Sequence, residues 1–236
     1  MHFPFFYIES VDKSTKTILL DEETSRHIVQ VLRMKVGEKL NLTDGKGNLL
    51  TCSITDEHKK HCLVKVEETS HKAQDARKVS IAISLLKNTN RFEWFLEKAT
   101  EIGVSEIIPL ICERTEKEKF RFDRLQGICI SAMLQSQQVW LPVLHEPVQF
   151  ENLIMKEFDN CQRFIAHCNE GEKRTLSNFQ ISQFPNSKIL IGPEGDFTNV
   201  EIDLALKNNF QPVSLGETRL RTETAGVVAA TLLCLI

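Results

Sequence analysis

Two segments near the end of the chain carry the residues best suited to hold a small molecule. One reads Leu190-Ile191-Gly192-Pro193-Glu194-Gly195-Asp196-Phe197. The other reads Val213-Ser214-Leu215-Gly216-Glu217-Thr218-Arg219-Leu220-Arg221-Thr222-Glu223-Thr224-Ala225. Each reads as a strand, a tight loop and a helix start. Ligands of open α/β sheets bind beyond the carboxyl ends of strands, where both loops fall. Gly192, Gly195 and Gly216 let backbone N–H and C=O groups approach a ligand closely. Neither loop has the spacing G-x-x-x-x-G-K-[ST] or G-x-G-x-x-G, so an ATP or dinucleotide site is not supported. A glycine turn with a helix cap accounts for either loop alone; two polar, arginine-bearing loops point to a site.

Positioning such loops takes strands alternating with helices, and residues 79–236 show that pattern. Val79 to Leu86, Glu106 to Ile111, Gln162 to His167, Lys188 to Ile191 and Gln211 to Leu215 are expected strands. Arg91 to Ile102 places Phe92, Phe95, Leu96, Ala99 and Ile102 on one helical face, with Gly103 as its stop. Arg121 to Gln138 does the same with Leu125, Ile128, Cys129, Ala132 and Met133. Thr198-Asn199-Val200-Glu201 is a capping box opening a helix to about Asn208, and Thr222 caps a final apolar helix. The order predicts an α/β domain with a largely parallel sheet.

Residues 1–70 read as a separate, β-rich domain. Phe3 to Ile8, Thr17 to Leu20 and Cys62 to Val66 are short apolar runs. Asp21 to Lys35 has Ile28, Val31 and Leu32 at helical spacing, and Gly37 ends it. Lys39 to Thr43 and Leu49 to Ile54 flank Asp44-Gly45-Lys46-Gly47, a hairpin signal. The polar stretch Glu68 to Lys78 supplies a linker, set at 71–78.

The 236 residues are 42% apolar and 26% charged, which excludes a collagen-like or disordered chain. Ala225 to Ile236 is apolar but too short to span a bilayer, and Met1-His2-Phe3-Pro4 does not start a signal peptide. The seven cysteines form no C-x-x-C pair, which predicts a reduced, cytoplasmic protein. His58-Lys59-Lys60-His61-Cys62 reads as a solvated turn, so no metal site is expected. A net charge of −3 leaves room for a local basic surface.

The two loops, taken together from Ile191 to Phe197 and from Leu215 to Ala225, closely resemble the C-terminal signature of the 16S ribosomal RNA uracil-N3 methyltransferase family. His27 to Gly37 with Asp44-Gly45 is similar to that family's N-terminal PUA-like barrel. Glu97 to Val104 with Pro109-Leu110 is similar to its first α/β unit. The chain departs from the family at Asp196, where a second glycine is common, and at His2, near which an arginine is common. In Ala132 to Gln138 it retains Gln135 but not the flanking Glu and Arg of the family's helix.

The resemblance implies the SPOUT class: a trefoil-knotted α/β domain that binds S-adenosylmethionine, preceded by a PUA-like domain. It implies cofactor contacts from Leu190, Ile191, Gly192, Gly195, Leu215, Gly216, Leu220 and Thr222, with His167 and the loop after it as a third wall. Methyl transfer to N3 requires stabilising a uracil anion, for which Arg221 stands first and Arg219 second. Glu223 is a candidate base or base-orienter. A carboxylate favoured by a helix dipole is the equal alternative, and Glu194 shares that ambiguity. RNA contacts are expected from Arg26, Arg33, Lys35, Lys87, Arg91 and Lys98, whereas the mixed run Arg114 to Arg124 reads as a solvated face. The implied substrate is 16S rRNA near the decoding region of the 30S subunit. The implied assembly is a homodimer packed through the final helix. A SPOUT methyltransferase with another RNA target and a non-catalytic assembly factor remain the alternatives.

Overall fold

A computed structural model describes residues 3–11, 15–116, 119–156, 160–179 and 185–235. Met1, His2, residues 117–118 of the run Arg114 to Arg124, and Ile236, which enter the sequence reading, lie outside the described residues. The chain divides into two compact units.

The first unit comprises Met1–Gln74 and Met133–Leu141. Its elements are β1 (Phe5–Tyr7), β2 (Thr17–Leu19), α1 (Glu22–Arg26), β3 (Lys39–Thr43), β4 (Asn48–Asp56) and β5 (Leu63–His71). They form a five-stranded sheet in the order β1-β3-β4-β5-β2, with β1 parallel to β3 and the other pairs antiparallel. Phe6, Leu40, Leu42, Leu50, Ile54 and Val64 close over Ile28 as its core.

The helix expected over Asp21 to Lys35 forms from Glu22 to Val31, ending early and with its second half wound as a π-helix. α1 is followed by a π-helical turn, His27–Val31, in which Leu32 N–H reaches back to His27 O at 2.9 Å. Arg33 then takes a positive φ of 56° and reverses the chain. The wider turn keeps Ile28 buried but carries Val31 and Leu32 to the surface, 66% and 44% exposed. β5 runs on to His71 because its backbone pairs with β4 from Asn48 to Thr51, so Glu68 to His71 of the polar stretch are strand rather than linker.

Met133–Leu141, placed by sequence in the second domain, packs into this unit through the hairpin turn. Gly47 N–H donates to Val139 O (2.8 Å) and Leu141 N–H to Gly45 O (2.9 Å). A Cβ on Gly47 would lie 2.6 Å from the Trp140 ring, so glycine is needed for this approach as well as for its φ of 87°.

The second unit comprises Asp75–Ala132 and Pro142–Ile236. Its elements are β6 (Lys78–Ser84), α2 (Thr89–Ile102), β7 (Glu106–Ile111), α3 (Phe122–Gln135, whose last three residues belong to the first unit), β8 (Val143–Leu144), β9 (Val148–Gln149), α4 (Phe150–Ile154), β10 (Cys161–Ala166), β11 (Arg174–Thr175), β12 (Asn186–Ile191), α5 (Asn199–Lys207), β13 (Gln211–Ser214) and α6 (Thr222–Leu235). The eight strands make one sheet, β11-β13-β10-β12-β6-β7-β8 with β9 also on β7, and every pair is parallel. Helices cover both faces, as a parallel sheet requires. Ala82, Ile165 and Leu190 face α4 and α5 through Phe150, Phe197 and Ile202. The alternate residues face α6 and α2: a Cβ on Gly226 would meet Phe95 at 2.6 Å and Ile83 at 2.9 Å. The two-residue strands β8, β9 and β11 are too short to show a period in sequence. Gly103 ends α2 in the left-handed conformation, as its position predicted. Thr222 is the first residue of α6 rather than its cap: Ala225 N–H bonds to Arg221 O (2.8 Å), so Arg221 holds the cap position.

Candidate active site at the carboxyl edge of the parallel sheet

β12 and β13 flank β10 on opposite sides. The chain therefore steps from one side of β10 to the other, and such a switch opens a crevice beyond the strand ends. The strands end at Ala166, Ile191 and Ser214, and the loops that follow enclose a cleft of about 690 Å³. This is the size range of small-molecule and cofactor sites.

Each loop is held by its own side chains. In the loop after β12, Asp196 takes φ 64°, a conformation Asp tolerates because its carboxylate bonds nearby backbone. Its Oδ1 accepts Phe197 N–H (2.8 Å) and its Oδ2 accepts Cys168 N–H (2.7 Å), tying this loop to the one after β10. Phe197 is buried against Phe150, their rings 5.3 Å apart. The capping box at Thr198 is complete: Glu201 Oε2 accepts Thr198 N–H (2.7 Å), and Glu201 N–H donates to Thr198 Oγ1 (3.3 Å). In the loop after β10, Lys173 Nζ donates to the carbonyls of His167 (2.8 Å) and Asn169 (2.6 Å). In the loop after β13, Gly216 has φ 148°, and Ser214 Oγ donates to Gly216 O (2.7 Å).

The cleft's ionisable groups differ in their surroundings. Burial lowers the His167 imidazole below its ordinary value, Lys173 adds to that, and Asp196 opposes it. His167 Nδ1 is buried with no hydrogen-bond partner among the described residues. Burial raises the Cys168 thiol, and Asp196 raises it further. Arg219 and Arg221 are exposed and have no ion-pair partner among the described residues.

The structure brings Ile191, Gly192, Leu215, Gly216, Leu220, Thr222, His167, Arg219 and Arg221 together on the cleft wall. Leu190, one residue back on β12, points into the core instead. Gly195 faces Arg114, whose Nη1 donates to its carbonyl at 2.7 Å. Glu194 lies on the wall. Glu223 does not: it is 7% exposed in the first turn of α6, with Oε1 at 3.6 Å from Arg91 Nε and Oε2 without a partner. Arg91, grouped by sequence with the RNA contacts, lines the cleft. Cys168, in the loop that the sequence reading set as a third wall, does line the cleft, whereas that reading assigned no contact to Lys173, Asp196 or Ser214. Membership of the two singled-out segments, Leu190 to Phe197 and Val213 to Ala225, was the available signal for Asp196 and Ser214.

The other basic candidates are mostly engaged. Arg26 pairs with Glu22 (2.8 Å), Lys35 with Glu57 (3.1 Å), Lys87 with Glu116 (2.6 Å), and Lys98 with Glu97 (2.6 Å) and Glu101 (3.1 Å). Water screens such surface pairs, so a phosphate can compete for these cations. Arg33 is exposed, with no ion-pair partner among the described residues. Also among the described residues, no three His, Cys, Asp or Glu side chains gather as a metal site requires, and no helix is long and apolar enough to cross a membrane.

A parallel α/β domain with a glycine-lined cleft at its carboxyl edge, and a separate β-rich unit before it, is an arrangement with known counterparts. The RNA methyltransferase domain family matches residues 73–234, and the RNA methyltransferase PUA domain matches residues 20–67. The ribosomal RNA small subunit methyltransferase E of Rickettsia conorii is 29% identical over 97% of this chain and 94% of its own length. The protein of the same name from Synechocystis is 31% identical over 90% of this chain and 71% of its own. Among solved structures, a "probable rRNA-methyltransferase" from Porphyromonas gingivalis is 36% identical, covers 98% of both chains and has a TM-score of 0.88. The ribosomal RNA small subunit methyltransferase E of Neisseria gonorrhoeae, solved bound to S-adenosyl methionine, is 28% identical over 98% of this chain and 96% of its own, with a TM-score of 0.87. The chain belongs to the RNA methyltransferase family, with the mixed α/β fold of SPOUT methyltransferases and an N-terminal PUA domain.

Proposed function

We propose that this protein methylates N3 of one uridine in 16S rRNA, near the decoding region of the 30S subunit, with S-adenosylmethionine as donor. The observation that carries this reading is a juxtaposition on one cleft wall. Backbone at three strand ends shares that wall with two arginines, Arg219 and Arg221, that have no ion-pair partner among the described residues.

The residues fit the cofactor. Ile191, Leu215 and Leu220 offer apolar surface, while Gly192 and Gly216 leave backbone groups open to a nucleoside. The unpartnered His167 Nδ1 gives the third loop a polar atom in need of a partner. Leu190 and Gly195 support this wall from behind. S-adenosylmethionine, when bound, supplies an electrophilic methyl group on a sulfonium sulfur. In the SPOUT class the loops that hold it form a trefoil knot, and we assign that threading to the loops after β12 and β13.

Uracil N3 becomes nucleophilic only as its proton leaves. Arg221 stabilises the anion that develops on the flanking carbonyls, and Arg219 assists. Glu194 lies on the cleft wall, unlike Glu223, and we assign it the role of accepting the proton. Glu223 acts through Arg91, which it holds at the cleft. N3 lies on the Watson–Crick edge, so the uridine must enter unpaired. Arg33 and the screened cations Arg26, Lys35, Lys87 and Lys98 supply phosphate contacts. The half-exposed side of α6, with Leu232 and the exposed Leu235, is the face a second copy would cover.

The test is an in vitro reaction with S-adenosylmethionine and 30S subunits lacking this modification, with naked 16S rRNA alongside. Nucleosides are then analysed by mass spectrometry. New 3-methyluridine, formed preferentially on 30S subunits, is the expected result. A methyl group on ribose or another base would replace the target, and no methylation of either substrate would sink the reading.

A further inference from the structure

The carboxyl edge of the sheet holds a second hollow beside the cleft. It has a volume of about 100 Å³ and lies beyond the end of β6. Leu85 and Leu86, both buried, form its floor. Phe120, half-buried just before α3, supplies aromatic surface, and the buried Phe92, from the first turn of α2, also lines the hollow. Lys119, Arg121 and Arg124 stand at its rim. The hollow and the cleft share one turn of α2, since Arg91 lines the cleft and Phe92 lines the hollow.

Charge at this hollow is not the balanced mixture that the run Arg114 to Arg124 suggests in sequence. Glu116 turns away to Lys87, at 2.6 Å. Glu93 is taken up by Arg124 through two hydrogen bonds, of 2.7 and 2.9 Å, which also fix that guanidinium. Asp123 is exposed, with no ion-pair partner among the described residues. Lys119 and Arg121 likewise have no ion pair among the described residues, though Arg121 acts on Glu93, which also lines the hollow; three cations against one carboxylate leave the lining net positive beside Phe120.

Aromatic faces with adjacent cations are the chemistry that binds unpaired nucleotides: a base stacks while its phosphate meets the positive charge. We infer that this hollow is a second nucleotide subsite, which holds an unpaired base flanking the one presented to the cleft. The inference rests on the RNA-methylating reading for its partner. It adds that the enzyme binds a single-stranded segment rather than one flipped base alone. Room for one ring, not a full nucleoside, leaves the sugar and phosphate at the rim, where Lys119 and Arg121 stand.

The experiment compares Phe120→Ala and Arg121→Glu with the unaltered full chain. Fluorescence anisotropy measures binding of a single-stranded uridine dodecamer and of a duplex of equal length. Calorimetry measures S-adenosylmethionine affinity, and the 30S assay gives KM. Each variant is expected to bind the single strand about tenfold more weakly and to raise KM in proportion, with cofactor affinity unchanged. Phe120→Ala should spare duplex binding, because only unstacked bases can stack on the ring. Arg121→Glu changes an exposed side chain, so it carries the test even if Phe120→Ala does not fold. Unaltered single-strand affinity in the folded variants would overturn the inference, whether or not the enzyme methylates. Phe120-dependent binding without any 3-methyluridine would keep the subsite and remove the proposed reaction instead.

Discussion

The same parallel strands end in two different ways. At their amino ends, Glu106, Ser80, Lys188 and Arg163 lie in register across β7, β6, β12 and β10. Ser80 Oγ donates to Glu106 Oε2 (2.7 Å), Lys188 Nζ lies 4.0 Å from the same oxygen, and Arg163 Nη1 donates to Asn208 O (3.0 Å). Lys188 is only 6% exposed; burial lowers its ammonium, and Glu106 opposes that. At the carboxyl ends the strands give way to loops whose side chains mostly bind their own backbone, and Arg219 and Arg221 have no ion-pair partner among the described residues. Charge at the amino edge is spent on closing the sheet. At the carboxyl edge it is left available to a ligand, which is why the basic residues that matter there are not the most buried ones.

The largest expected break of this contrast is Arg221→Ala. It should lower kcat/KM for 30S methylation by about 10²–10³-fold, the usual loss when one anion-stabilising donor is removed. Steady-state kinetics beside cofactor calorimetry will check it, and a loss confined to cofactor affinity would reassign Arg221 to binding.

The opposite edge should respond in stability, not in rate. Lys188→Met replaces a buried charge with an apolar chain of similar length and should leave stability within about 1 kcal/mol, or raise it. The pH dependence sharpens this. With a lowered folded-state pKa, Lys188 binds its proton more readily in the unfolded chain. Its cost to stability therefore fades as pH climbs toward 10.5, and the methionine variant should lose that upward slope in urea titrations.

His167 gives a smaller effect on the acid side. Its lowered value means that the unfolded chain takes the proton first as pH falls through 6.5. Stability should be full above that pH and decline below it, and His167→Gln should flatten the decline in thermal melts. The smallest effect is expected from Arg33→Ala in the first unit. It should reduce the slope of log affinity for RNA against log salt by about 0.7–0.9 and leave cofactor affinity unchanged. An unchanged salt slope would take Arg33 out of the RNA contact set.

Much of this molecule is legible residue by residue. The run Glu106–Ile111 coincides with its strand, the Thr198–Glu201 capping box forms as written, and Gly103 stops α2. These follow from alternation, capping chemistry and backbone freedom, which act over a few residues. The two glycine loops were likewise visible, because strand–loop–helix order is local.

What sequence could not supply was which loops would meet and which way their side chains would turn. Only the placing of β12 and β13 on either side of β10 makes three separate loops into one cleft. Only the packing of α6 on α2 takes Glu223 out of that cleft and sets Arg91 into it. Met133–Leu141 joins the first unit through backbone bonds to a turn far back in the chain, and the π-helical turn at His27–Val31 moves Val31 and Leu32 off the core. Each of these depends on contacts between residues distant in the chain. Local patterns in the chain set most of the longer elements and the chemical inventory; packing chose their neighbours, because strand order and helix packing are set by non-local burial that no local pattern records.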